Sequence, residues 1–189
     1  MVIKIKYNGL SQSKNGSTIR DVIFLSHLRS MNMKSILFFS CLFISVAVAA
    51  QCDSVSPLNL KIVELSKAKM GKKVLRGECW DLAKYVLDET NSKWDGSYVF
   101  GEELKKSACL MPGDIIQFKN VRIQYQEGRT KYTELMTHHT AIIFEVNSSD
   151  EVVLIHQNTG QTGRKVGTSK MRFSTIVKGS YKIYRPIPN

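Results

Sequence analysis

Apolar positions along the chain change period near residue 112. Over residues 59–70 they recur at helical spacing: Leu60 and Val63 form a stripe that Ile62, Leu65 and Met70 widen. Gly71 stops this helix. A basic loop over residues 72–77 leads to a second helix over 79–89, where Cys79, Leu82, Ala83, Val86 and Leu87 share one face. Cys79 opens this helix on its inward face, and Asp81 sits in the first turn, where an acid suits the helix dipole. Residues 90–110 are polar, with Trp94, Tyr98 and Phe100 as satellites of the core. After Pro112-Gly113 the pattern becomes that of strands. Residues 114–119, 132–136, 140–146, 152–156 and 181–184 are β-branched or aromatic runs, and 147–150 reads as a hairpin turn. Helices followed by antiparallel strands predict an α+β fold.

The first fifty residues follow other rules. Met33-Lys34 precedes an apolar and small-residue run over 35–50 that ends in Val48-Ala49-Ala50. A basic start, an apolar middle and a small-x-small end predict a secretory signal peptide over 33–50, with the mature chain starting at Gln51. Sixteen residues fall short of the ~20 that span a bilayer, so no stable transmembrane segment is expected after cleavage. Residues 1–32 are read as a leader outside the fold, 51–56 as a short linker and 57–187 as the domain. The expected location is secreted or periplasmic, which is oxidising.

The 189 residues carry a net charge of +11, with 43% hydrophobic and 23% charged positions, which excludes wholesale disorder. Six of the 27 Lys and Arg, and one acid, lie in the first fifty residues; a surplus of six remains on the rest. That surplus favours anionic surfaces such as a cell wall. No nucleic-acid module is recognisable, and nucleic acid is not an expected partner.

Downstream of the signal, the cysteines are Cys52, Cys79 and Cys109 and the histidines His138, His139 and His156. Cys52 and Cys109 are a possible bridge, which leaves Cys79 as the odd thiol. A thiol that cleaves amides must be a thiolate. A helix N-terminus favours that form, an imidazole takes the proton, and a third polar group orients the ring. The chain offers Cys79 at a helix start, His139 at the head of one strand and His156 near the end of the next. Counted from the 147–150 turn, His156 falls beside Ala141 and His139 near Asn158, so either His156 or Asn158 can orient His139. Gln157 points the other way in a regular strand. Trp80 is placed either to line a cleft or to pack in the core, and His138 has no assigned role. Cys79, His139 and His156 as zinc ligands are a weaker reading, because no short ligand spacing is present. No metal or cofactor is expected.

Four motifs occur in order: Gly77-Glu78-Cys79-Trp80-Asp81-Leu82-Ala83, Pro112-Gly113-Asp114, His139-Thr140-Ala141-Ile142-Ile143 and His156-Gln157-Asn158. Together they resemble the papain-like cysteine hydrolase superfamily that includes NlpC-type endopeptidases and CHAP amidases. A closer pattern is the cysteine-proteinase-like domain at the C-terminus of fungal actin-patch SH3 proteins. The resemblance covers residues 57–187. It implies a papain-like fold, with N-terminal helices packed on an antiparallel sheet or partly open barrel, and Cys79 as nucleophile. His139 would be the base and His156 the orienting residue; CHAP enzymes instead match Asn158. The implied function is hydrolysis of an amide bond, in peptidoglycan peptides, by a monomeric enzyme. The alternative is a binding or interaction module that keeps the fold without catalysis. The Glu78-Cys79-Trp80-Asp81 surround departs from the Asp-Cys-Ser-Gly usual in NlpC-type enzymes, so substrate specificity does not carry over.

Overall fold

Ser56 caps the first helix: its hydroxyl accepts the Asn59 N–H at 3.0 Å, and Pro57 follows at the first helical position. In this computed structural model, residues 2–8 and 54–189 are described and belong to one compact unit. The expected signal peptide at 33–50 lies outside the described residues. Among those described, no helix is long and apolar enough to cross a membrane.

Helix α1, Pro57–Lys67, turns Asn59, Ile62 and Ser66 inward. Helix α2, Asp81–Glu89, buries Leu82, Ala83, Val86 and Leu87. These side chains pack with Ile62 and Phe100 against Ile115, Ile142 and Ile155 of the sheet. Full burial of each large aliphatic side chain contributes roughly 1.5–3 kcal/mol. The second helix starts two residues later than its apolar pattern predicts. Cys79 lies in the turn before it, where the Asp81 carboxylate accepts the Glu78 N–H at 3.0 Å.

The sheet is antiparallel throughout. Its strands are β1 (Val2–Asn8), β2 (Glu102–Glu103), β3 (Ile115–Glu127), β4 (Thr130–Val146), β5 (Glu151–His156), β6 (Gly167–Arg172) and β7 (Ile176–Arg185). Their order is β2-β7-β3-β4-β5-β6, and β1 pairs with β4 off this path. Two helices on an antiparallel sheet make an α+β fold, as the sequence predicts. The runs expected at 132–136 and 140–146 are one long strand, β4. The predicted 147–150 turn joins β4 to β5. Near it Val146 pairs with Val152, but a bulge at Phe144 restores the counted register, so that Ile142 faces Ile155.

Residues 2–8, part of the segment read as a leader, form strand β1. They pair with residues 130–136 from Val2 opposite Met136 to Asn8 opposite Thr130. The physical reason is an edge: the outer half of β4 extends past β5, and the alternating Val-Ile-Lys-Ile-Lys-Tyr run fits it.

The Pro112-Gly113-Asp114 turn ties the layers together. The fully buried Asp114 carboxylate accepts from Asn59 Nδ2 (3.0 Å), the Met111 N–H (2.9 Å) and Arg185 Nε and Nη2 (3.1 and 2.9 Å). Gly113, at φ +90°, has no room for a side chain, since a Cβ would sit 2.6 Å from the Asn59 carbonyl oxygen. One carboxylate thus joins α1, the start of β3 and the end of β7. Asp114→Asn is expected to destabilise the domain by about 3–5 kcal/mol in urea unfolding, because a neutral amide replaces the buried carboxylate that accepts from Arg185 Nε and Nη2 and from the Met111 N–H. Adding Arg185→Met should restore part of that loss.

Candidate functional site

The loop before Cys79 is held from behind by the residues after β5. Gln157, fully buried, accepts the Val74 N–H at 3.1 Å and donates to the carbonyls of Val74 (3.1 Å) and Glu78 (2.8 Å). Asn158, at φ +62°, donates to the Glu78 carboxylate at 3.2 Å, and Arg164 reaches the same carboxylate at 3.4 Å. Asn158 therefore binds the loop before Cys79, and the contact to His139 comes from His156 instead. Gln157, placed behind Asn158 by the sequence reading, is the stronger anchor; its complete burial carries no sequence signal.

Cys79 is half-buried and free, and its thiol donates to the backbone carbonyl of His138 at 3.8 Å. Cys109 is disulfide-bonded, and its expected partner Cys52 lies outside the described residues. Trp80 meets Trp94 and Tyr98 at ring-centroid distances of 6.3 Å each, with the Arg76 guanidinium 5.8 Å above its ring. Tyr98 in turn meets the His138 ring edge-on at 4.2 Å. An aromatic cluster therefore flanks the thiol.

His139 and His156 are brought together. His139 Nε2 lies 2.8 Å from His156 Nδ1, and His156 Nε2 lies 3.0 Å from the Ser169 hydroxyl. His139 is 0% exposed and stacks on Phe118. Its other nitrogen, Nδ1, is buried with no hydrogen-bond partner, so no hydrogen bond joins it to the Cys79 thiol. Burial holds the His139 pKa well below that of a free imidazole, with smaller lowering from the charge of His156 and of the amino terminus. Burial likewise lowers His156, to about 4.

Two neutral rings sharing one hydrogen bond hold a single proton between them, and Ser169 decides its direction. If the Ser169 hydroxyl donates to His156 Nε2, His156 donates to His139 and the His139 Nδ1 carries a hydrogen. If Ser169 accepts, His139 Nδ1 is bare and able to take a thiol proton. Ser169 lies on β6, a strand that the sequence pattern misses because Gly167-Thr168-Ser169-Lys170-Met171-Arg172 is mostly polar. A cleft of about 580 Å³ opens beside His156 and Ser169, lined also by Met136, Leu154 and Met171. Among the described residues no group of three or more His, Cys, Asp or Glu is placed to hold a metal.

These pKa directions set a pH dependence. Above about pH 6.5 the rings are neutral in both folded and unfolded chains. Between that point and about pH 4 the unfolded chain takes up protons that folded His156 does not, so stability falls as the solution is acidified. The expected loss from His156 is on the order of 3 kcal/mol. Urea midpoints from pH 7 to 4.5 check this, and His156→Gln should flatten the slope.

Residues 58–189 match the family described as the AIM3/BBC1 cysteine proteinase-fold domain. The chain is 26% identical over 148 residues to "Altered inheritance of mitochondria protein 3" of Debaryomyces hansenii. That match covers 67% of this chain but only 16% of the larger protein. Among solved structures, that of Ly7917 aligns at TM-score 0.42 and 15% identity, covering 67% of this chain and 62% of the other. The same protein with the hydrolysing product of MDP aligns at TM-score 0.43 and 16% identity, covering 68% and 63%. The family match spans both helices but for the first residue, strands β2 to β7, the Cys79 turn and both paired histidines, so this chain belongs to the AIM3/BBC1 cysteine proteinase-fold domain family.

Proposed function

We propose that this domain is an interaction module built on a cysteine-hydrolase scaffold, with no hydrogen bond between Cys79 and His139. The observation that carries this reading is the state of His139. A general base works best with a pKa near the operating pH, where it can hold the proton it removes. The His139 ring is sealed in the core and its pKa lies well below neutrality, so it keeps a transferred proton poorly. The Cys79 thiol is directed at a backbone carbonyl rather than at the ring. Family membership supports the same reading, since the matched relative is a much longer protein of which this fold is one part.

A second reading is favoured by one specific observation. The 2.8 Å His139–His156 contact beside a half-exposed cysteine has the order of groups needed by a thiol hydrolase. In that reading Cys79 attacks an amide, His139 carries the proton and His156 holds the ring. The substrate is then a peptidoglycan peptide outside the cell, in keeping with the signal peptide expected from the sequence and the basic surplus.

Iodoacetamide separates the two. The module predicts that Cys79 labels at the rate of an ordinary thiol near neutral pH, with His139→Ala within about twofold of wild type. Labelling accelerated by about tenfold or more and lost in His139→Ala, or digestion of wall fragments abolished by Cys79→Ser, establishes the hydrolase instead.

A further inference from the structure

The edge of β4 has two users. β5 pairs with β4 only from Ile142 to Val146, which leaves the preceding residues of this long strand without β5 beside them. Cys79 reaches that side of β4 at His138, whose carbonyl accepts the thiol. Alternate residues of a strand present their backbone groups to the same side. Thus Met136, Glu134, Tyr132 and Thr130 present theirs to the edge that receives Cys79. This is where β1 adds, antiparallel, with Val2 opposite Met136 and Asn8 opposite Thr130. Thiol and strand site are consecutive stretches of one edge, and the N-terminal end of the added strand is the end nearer Cys79.

We propose that the β4 edge over residues 130–136 is a strand-addition site for an extended segment of a partner protein, bound with its N-terminal end toward Cys79. The proposal rests on the interaction-module reading and names its surface. An exposed edge offers unpaired N–H and C=O groups, and main-chain pairing supplies affinity for an incoming strand. The partner's chemistry is written in the segment that already fits: Val2, Ile3, Ile5 and Tyr7 are strand formers interleaved with Lys4 and Lys6. In register, Lys4 falls opposite Glu134 and Lys6 opposite Tyr132. The site therefore selects β-branched or aromatic residues alternating with lysine. Residues 2–8 hold it in the full chain. Signal cleavage after Ala50, expected from the sequence, removes them and leaves the edge to another protein.

The test uses the full chain with its own strand displaced. Lys4→Pro with Lys6→Pro removes two backbone donors at edge-facing register positions, and Ile3→Gly with Ile5→Gly is an independent opening variant. A fluorescent peptide of sequence Val-Ile-Lys-Ile-Lys-Tyr-Asn should bind both variants at least about tenfold more tightly than wild type by anisotropy. Glu134→Lys in the opened chain should weaken binding severalfold. A chloroacetyl group on the peptide's N-terminus should alkylate Cys79 about tenfold faster than one on its C-terminus.

No binding to either opened variant, or equal rates from the two warheads, overturns the proposal. So does a wild-type dimer, by light scattering, that both opening variants abolish, since the edge then belongs to a second copy. Fast, His139-dependent labelling by free iodoacetamide would sink the module reading while leaving the strand site standing. The two failures are therefore distinguishable.

Discussion

A single buried carboxylate sets the frame in which the rest of the domain is built. Asp114 is removed from water and compensated by Asn59, the Met111 N–H and Arg185. A carboxylate buried this deeply is tolerated only while its oxygens are matched, so the three segments supplying those donors are fixed relative to one another. The same residue's backbone carbonyl accepts the Ile143 N–H at 2.8 Å, and the Gly113 N–H bonds the Ile143 carbonyl at 2.7 Å. β4 is thereby locked to the turn that begins β3. Every residue of β4, His139 included, inherits its height along the sheet from that lock.

Within the frame, burial decides the chemistry of the histidine pair. His139 shares the core face of β4 with Ala141 and Ile143 and stacks on Phe118. Excluding water there disfavours the charged ring more strongly than any neighbour favours it, since the second imidazole is itself buried and repels a second charge. The pair therefore behaves as a neutral polar contact inside a core, with Ser169 at its far end. A buried polar contact of this kind fixes register between β4 and β5 as well as it serves a reaction, because a slip of one residue would strand two ring nitrogens without partners.

The sequence made the architecture legible wherever hydrophobic period and turn chemistry agree. The 3.6-residue period marks α1 and α2, the β-branched runs mark β3, β4, β5 and β7, and the hairpin count puts His156 beside Ala141 once the bulge at Phe144 is passed. What stayed hidden depends on tertiary partners. β6 is too polar to announce itself, and β1 becomes a strand only through the edge it meets. α2 starts later than its apolar pattern predicts because Cys79 fits the apolar face, whereas the Asp81 carboxylate folds back on the Glu78 N–H and begins the helix at Asp81. Within the site, strand spacing limits the partner of His139 to His156 or Asn158, and the structure brings His156 to it. The full burial of His139, the anchoring role of Gln157 and the contact with Ser169 do not follow from spacing, because each arises from side chains converging across segments far apart in the chain.

The separate anchoring of thiol and ring has a consequence for what the scaffold can become. Cys79 is positioned by a loop pinned to Gln157 and Asn158, and His139 by a strand pinned to Asp114 and Phe118. Neither attachment is a long side chain that swings freely. The packing of Leu82, Val86 and Leu87 on Ile115, Ile142 and Ile155 holds α2, and the Cys79 turn before it, against the sheet. Close-packed interiors resist shifts of such elements. Interaction through the β4 edge, as proposed, asks for no such shift, because the backbone groups of a strand edge are already in place when a partner arrives.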